Sequence, residues 1–224
     1  MLDSQITTAS NPALLRQSVT RPTEEIWEYD RLELPFETPL YRKLRQKFGD
    51  IKVLEKIFKF SRETSSSLGS WCSDWIWSYC LSEETLPKLE ARSNRPLMKS
   101  IPNQPSCDTE AERIREAGAI IKEHEFGDPV ANPELLSRKV LLLRDQLLRR
   151  FKENPDTRCI VFTAQRHTAR ILRDLFKKIG SQYIRPNLLV GVRSGGDKIG
   201  LDISFREQFL NVIAFRKGEI NCLV

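Results

Sequence analysis

The sequence predicts an α/β chain in which an all-helical module precedes a small parallel sheet. Three observations predict it. Residues 37–126 carry helix caps and apolar stripes at three-to-four spacing, with no strand-like run among them. Three short apolar runs follow, Cys159–Phe162, Leu188–Val192 and Ile220–Val224, separated by helical patterns. Strand, helix, strand, helix, strand in that order implies right-handed crossovers and parallel pairing. With 224 residues, 40% hydrophobic and 29% charged, the chain is long enough for one large domain or two small ones with a buried core.

Each element has its own signals. Residues 1–36 read as a linker or arm; period-2 character around Ile26, Trp27 and Tyr29 suggests one strand at most. Thr38 is placed to cap a helix opened by Pro39, with Tyr41, Leu44 and Phe48 on one face and Gly49 as its stop. Asp50 is placed to cap the next helix, which has Ile51, Leu54, Ile57 and Phe58 in line. Leu68, Trp71, Trp75, Ile76 and Tyr79 form a third stripe, with Trp77 off that face. The stretch from about Ser93 to Ser106 holds Pro96, Pro102 and Pro105 and reads as loop. Thr109 and Glu112 have capping-box spacing ahead of Ile114, Ala117, Ile120 and Ile121. After Gly127-Asp128-Pro129 and Asn132-Pro133 comes a helix with Leu136, Val140, Leu143, Leu147 and Phe151 inward.

The continuous apolar run Cys159–Phe162 predicts a strand buried on both faces. Ala169, Leu172, Leu175, Phe176 and Ile179 line the next helix up to Gly180. Ser204 and Glu207 form another capping box, before a helix with Phe205, Phe209, Val212 and Ile213 inward and Gly218 as its stop. The last strand has little polar alternation, which predicts a central place in the sheet. The chain stops inside that strand, from which we expect a fragment of a longer protein.

Composition narrows the function classes. No apolar run approaches the ~20 residues of a membrane span, and the N-terminus lacks a signal-peptide pattern. Five cysteines (Cys72, Cys80, Cys107, Cys159, Cys222) form no CxxC pair, so an intracellular, reducing compartment is expected, cytoplasmic or nuclear. The charge is uneven. Residues 131–224 hold 18 basic and 9 acidic side chains, a net of +9, against a net of +6 for the whole chain. A regional basic excess fits a polyanionic partner or a solvated helix surface.

No complete enzyme site stands out. The phosphate-cradle pattern G-x-x-x-x-G-K-[ST] is missing and no glycine precedes a lysine. There is no Asp-Glu dipeptide. Ser194-Gly195-Gly196-Asp197 follows a strand and reads either as a phosphate-binding turn or as a loop tip. Cys72, Cys80, Cys107 and His124 do not match zinc-module spacing and read as core residues, so no metal site is expected. The tryptophan stripe reads as core packing ahead of base stacking. No catalytic residue is assigned.

At Cys159-Ile-Val-Phe-Thr-Ala-Gln-Arg-His-Thr-Ala the chain resembles motif IV of superfamily 2 helicases, at the start of their second RecA-like domain. The tail from Arg206 to Val224 resembles the stretch leading into motif V. Arg21-Pro-Thr-Glu upstream, and a helical segment before Asn132-Pro-Glu-Leu-Leu, give an order similar to Dicer and the cytosolic RNA-sensor helicases, and most of all to fungal Dicer-like proteins. The motif I lysine, motif II acidic pair, motif VI arginines and ribonuclease III domains are missing from the sequence. The resemblance implies a helical insertion domain at 37–130 and a partial, truncated RecA-like domain at 131–224. It implies a parent protein that is an ATP-dependent RNA helicase and endoribonuclease of small-RNA production, using ATP and Mg; no cofactor is expected in this chain. It further implies that Thr163, Gln165, Arg166, Gly191, Arg193, Ser194 and Gln208 contact double-stranded RNA at phosphates and 2′-hydroxyls. Two rival expectations stand beside it: a protein partner on the helical insertion with the RecA-like part as scaffold, or a non-functional truncated product.

Overall fold

The computed structural model describes residues 36–93, 107–191 and 204–224, together with Ile26 and Glu28. Helix α1 (Pro39–Phe48) starts where the Thr38 hydroxyl accepts the Tyr41 N–H at 3.0 Å. A 3-10 turn (Lys52–Leu54) leads into α2 (Glu55–Leu68), α3 (Ser70–Cys80), α4 (Leu86–Ser93) and α5 (Cys107–Glu123). The α2–α3 pair is tight because its facing side chains are small: Ser61 and Ser73 are buried with their hydroxyls 2.8 Å apart. Trp77, fully buried, donates its Nε1–H to Ser61 Oγ at 3.2 Å, so the contact is apolar and satisfied at once. Phe58 meets Tyr41 and Trp77 edge-on, which joins α1 to the pair. Arg113 on α5 grips Asp50 with two N–H···O bonds of 2.7 Å, and Lys47 pairs with Glu116.

A 3-10 turn (Pro133–Leu135) then feeds α6 (Arg138–Glu153), capped by Ser137. The sheet follows: β1 (Cys159–Ile160), α7 (Arg166–Ile179), β2 (Pro186–Asn187), α8 (Phe205–Lys217) and β3 (Cys222–Leu223). Strand order is β1-β3-β2, all parallel, with Cys159 and Pro186 both in register with Cys222. The last strand is therefore the central one. Pairing continues past the strand ends, with Val161 N–H on the Leu223 carbonyl at 2.7 Å and Leu189 N–H on the Val224 carbonyl at 2.9 Å.

Helix α7 buries Leu172, Leu175, Phe176 and Ile179, and it also packs against α3. Trp75 Nε1–H reaches Asp174 at 3.3 Å, Lys178 lies over the stacked Trp71 and Trp75 rings, and Phe60 stacks on His167. One hydrophobic cluster thus runs from Leu40 to Val224.

Several expectations need correction. Asp50 caps nothing; it is committed to Arg113, and the helix starts at Glu55 behind a 3-10 turn. Helix α5 begins at Cys107, upstream of Thr109. Among the described tryptophans Trp77 is the deepest, while Trp75 is only partly buried. The first sheet run is not buried on both faces: Ile160 is 48% and Phe162 89% exposed. Strand β2 lies two residues ahead of the apolar run. Helix α8 turns its polar side inward: Gln208 and Asn211 are buried, and Phe205 and Phe209 are exposed. The reason is hydrogen bonding. The Asn211 amide donates to the Leu188 carbonyl at 2.9 Å and accepts from Asn187 at 2.7 Å, which fixes that face on the sheet. The arm signals at Trp27 and Tyr29 and the proline loop lie outside the described residues; Ile26 is exposed and in no regular element.

Candidate nucleic-acid interface at the sheet edge

Parallel strands end together, so the C-terminal ends of β1, β2 and β3 form one edge, the usual ligand side of an α/β sheet. Thr163, Gln165 and Arg166 follow β1, and Gly191 follows β2. With β3 between them, the strands that the two groups follow are about 10 Å apart, two strand spacings. Thr163 Oγ1 donates to the Gln165 carbonyl at 3.1 Å and turns the chain into α7. Gln165 is the extended residue ahead of that helix and supplies no side-chain cap. The helix therefore opens at Arg166 without a cap from its N-cap side chain, and the positive end of its dipole lies there.

Gly191 is exposed, and a Cβ there would meet nothing within 4 Å. Gln208 sits differently. It is 7% exposed and lies with Leu189, Val190 and Gly191 in a shallow hollow of 340 Å³ between α8 and the sheet. Arg193 and Ser194 lie outside the described residues. The structure thus brings Thr163, Gln165, Arg166 and Gly191 to one edge, with Gln208 behind it.

Behind Thr163 and Gln165 opens a cavity of 440 Å³ whose far wall comes from the helical module. Glu63, Thr64, Ser67 and Leu68 of α2 face Lys139, Val140 and Leu143 of α6 and His167 and Leu172 of α7 across it. Burial lowers the pKa of His167 and outweighs the nearby Glu63 carboxylate, which acts the other way. The imidazole is neutral at physiological pH. Sequence reasoning missed this wall, because Thr64 and His167 stand 103 positions apart and neither belongs to a spacing pattern. Among the described residues, no group of three or more His, Cys, Asp or Glu side chains gathers in metal-holding geometry. Among them too, no helix is long and apolar enough to cross a membrane.

Fold and edge define a class: a parallel α/β unit packed on an all-helical module. Comparison with known sequences gives the relatives. The chain is 49% identical over 225 residues to Dicer-like protein 1 of Aspergillus oryzae, covering 100% of this chain and 15% of that protein. It is 47% identical to Dicer-like protein 1 of Aspergillus clavatus over 226 residues, 100% of this chain and 14% of that one. Dicer-like protein 1 of Cryphonectria parasitica is 36% identical over 226 residues, again 100% and 14%. Along its whole length the chain is therefore a relative of one segment of fungal Dicer-like proteins, and it spans about 15% of their length. No protein-family model matches it.

Proposed function

We propose that this chain is the RNA-gripping segment of the helicase region of a Dicer-like protein, holding double-stranded RNA along the C-terminal edge of its sheet. The observation that carries the reading is the gathering of Thr163, Gln165 and Arg166 at the N-terminus of α7 on that edge, within a chain similar throughout to fungal Dicer-like protein 1. A helix N-terminus with an arginine and small polar donors suits phosphate and 2′-hydroxyl contacts, which position a duplex without reading its bases. The net +9 of residues 131–224 adds sequence-independent attraction. In the longer protein this segment supports ATP-driven, Mg-dependent RNA handling, with the nucleotide held by residues outside this chain.

Fluorescence anisotropy with a blunt RNA duplex tests it. The expected result is weak, salt-sensitive binding that drops at least about fivefold in an Arg166→Ala, Arg193→Ala variant. With few contacts the slope of log affinity against log salt stays shallow, near −0.9 per phosphate contact. Unchanged affinity in that variant would falsify the site assignment.

A further inference from the structure

Each strand of the sheet is entered by a short connection from a helix, so the edge opposite the proposed RNA edge is built from the ends of α6, α7 and α8. Those connections hold most of the basic excess. Residues 149–158, 177–185 and 216–219 together carry nine basic and three acidic side chains, a net of +6 out of the +9 of residues 131–224. All twelve are exposed. The turn at Gly218 draws them together. Arg158, at the entry to β1, puts Nη2 3.8 Å from where a Cβ on Gly218 would stand. Arg185, at the entry to β2, donates from Nε to the Glu219 carbonyl at 3.1 Å and from Nη2 to the Gly218 carbonyl at 3.0 Å. Other N–H groups of its guanidinium stay available. Lys152 Nζ lies 5.1 Å from the centre of the Tyr183 ring, which ties the end of α6 to the approach to β2. Among the described residues, neither Arg158 nor Arg216 has a carboxylate within ion-pair distance. Bases at helix C-termini ordinarily offset the dipole, but three helix ends amount to only about −1.5 charges, far short of this excess.

Such a surface fits an anionic partner, and its make-up favours a polypeptide over a nucleic acid. The negative ends of three helix dipoles, with Glu153, Asp156 and Glu219 among the bases, repel closely spaced phosphates more than sparse carboxylates. Last-turn carbonyls at the same place accept N–H donors, which a polypeptide backbone has and a phosphate backbone lacks. The entries to β1 and β2 stand about 10 Å apart, two strand spacings, which an extended chain covers in about three residues. We propose that this edge docks an extended acidic segment of a protein partner, with Arg158, Arg185 and Arg216 taking its carboxylates. This docking does not depend on the RNA reading. Helix α7, 14 residues and about 21 Å long, separates the two edges by more than two screening lengths at physiological salt.

The test uses the full 224-residue chain at physiological salt and a fluorescein-labelled peptide of about twelve residues with glutamate at every third position. The same peptide with glutamine in those places is the control. Fluorescence anisotropy is expected to show the glutamate peptide bound at least about tenfold more tightly than the control. An Arg158→Glu, Arg216→Glu variant should bind the glutamate peptide at least about tenfold more weakly, while its affinity for a blunt RNA duplex stays within about twofold. Both side chains are exposed, so the fold is expected to survive, which a thermal melt checks. An Arg158→Gln, Arg216→Gln variant adds no like charge and should weaken the peptide by about threefold. Equal or absent binding of the two peptides by the unaltered chain overturns the proposal. So does a glutamate-peptide affinity that neither variant changes, which places the peptide elsewhere. A loss of RNA affinity in the Arg158→Glu, Arg216→Glu variant as large as its loss of peptide affinity also overturns it, and makes the edge a phosphate-binding surface.

Discussion

Gly69 turns the chain between α2 and α3 at φ +110°, in the region that side-chain-bearing residues rarely adopt. A Cβ there would lie 2.4 Å from the Leu135 carbonyl oxygen and 2.7 Å from Leu136 Cα. Both obstacles are backbone and neither yields cheaply. Gly69→Ala is expected to lose at least about 2 kcal/mol of stability, read from a denaturant melt. Asp74 makes a second prediction. It accepts the Thr38 hydroxyl at 2.5 Å, and burial raises its carboxyl to about 6, with that hydrogen bond acting in the opposite direction. The unfolded chain titrates this group near 3.8, so the native state takes the proton first. This group's contribution to stability therefore rises as pH falls through about 6 and levels off below about 4. His124, 3.9 Å away and lowered in pKa by burial, is neutral at pH 7.5 and does not offset the carboxylate. Asp74→Asn keeps an acceptor for Thr38 and removes the ionisation. Thermal melts are expected to show the variant more stable than the parent at pH 7.5, with the gap closing below about pH 4. At this scale the sequence was legible where a residue acts on near neighbours, as at the Thr38 cap. It was silent where the partner is remote, as for Asp50 with Arg113 or Trp75 with Asp174.

Among the elements, α8 shows how polar pairing overrides apolar periodicity. Its stripe of Phe205, Phe209, Val212 and Ile213 suggested a buried face, yet the helix turns about its axis so that Asn211 meets Asn187 and the Leu188 carbonyl. Two buried amide contacts, each costly to leave unmade, set the rotation. The consequence is an open apolar surface: Phe205 is 76% and Phe209 58% exposed, as are Ile160 on β1 and Phe162 just beyond it. Exposed apolar side chains beside short parallel strands favour association. The chain is expected to self-associate in sedimentation velocity at tens of micromolar, and Phe205→Glu with Phe209→Glu to shift it toward monomer. An unchanged sedimentation profile would mean that this face is not the contact. The order of most helices and of the three strands was readable from caps and runs, though the helix Leu86–Ser93 had no such signal. Which face turns inward was not, because that depends on hydrogen bonds to a strand far along the chain.

For the whole molecule, the helical module and the sheet share one core. Helix α3 locks to α7 through Trp75 with Asp174 and Lys178 over Trp71 and Trp75, and Phe60 of α2 stacks on His167 of α7. The α/β class, the parallel sheet and the central place of the last strand were all legible in three apolar runs and their order. The continuity of the core across the proposed boundary at 130–131 was not, since no residue pattern records what α3 packs against. Placement of RNA on the sheet edge, rather than on the helical module, is the claim on which the functional reading depends. Photo-crosslinking of a 4-thiouridine-bearing RNA duplex to the chain, mapped by mass spectrometry, measures that placement most directly. Crosslinks concentrated on peptides that contain Phe162–Arg166 and Gly191 are expected. Crosslinks confined to the helices between Pro39 and Glu123 would contradict the reading and make the helical module the binding surface.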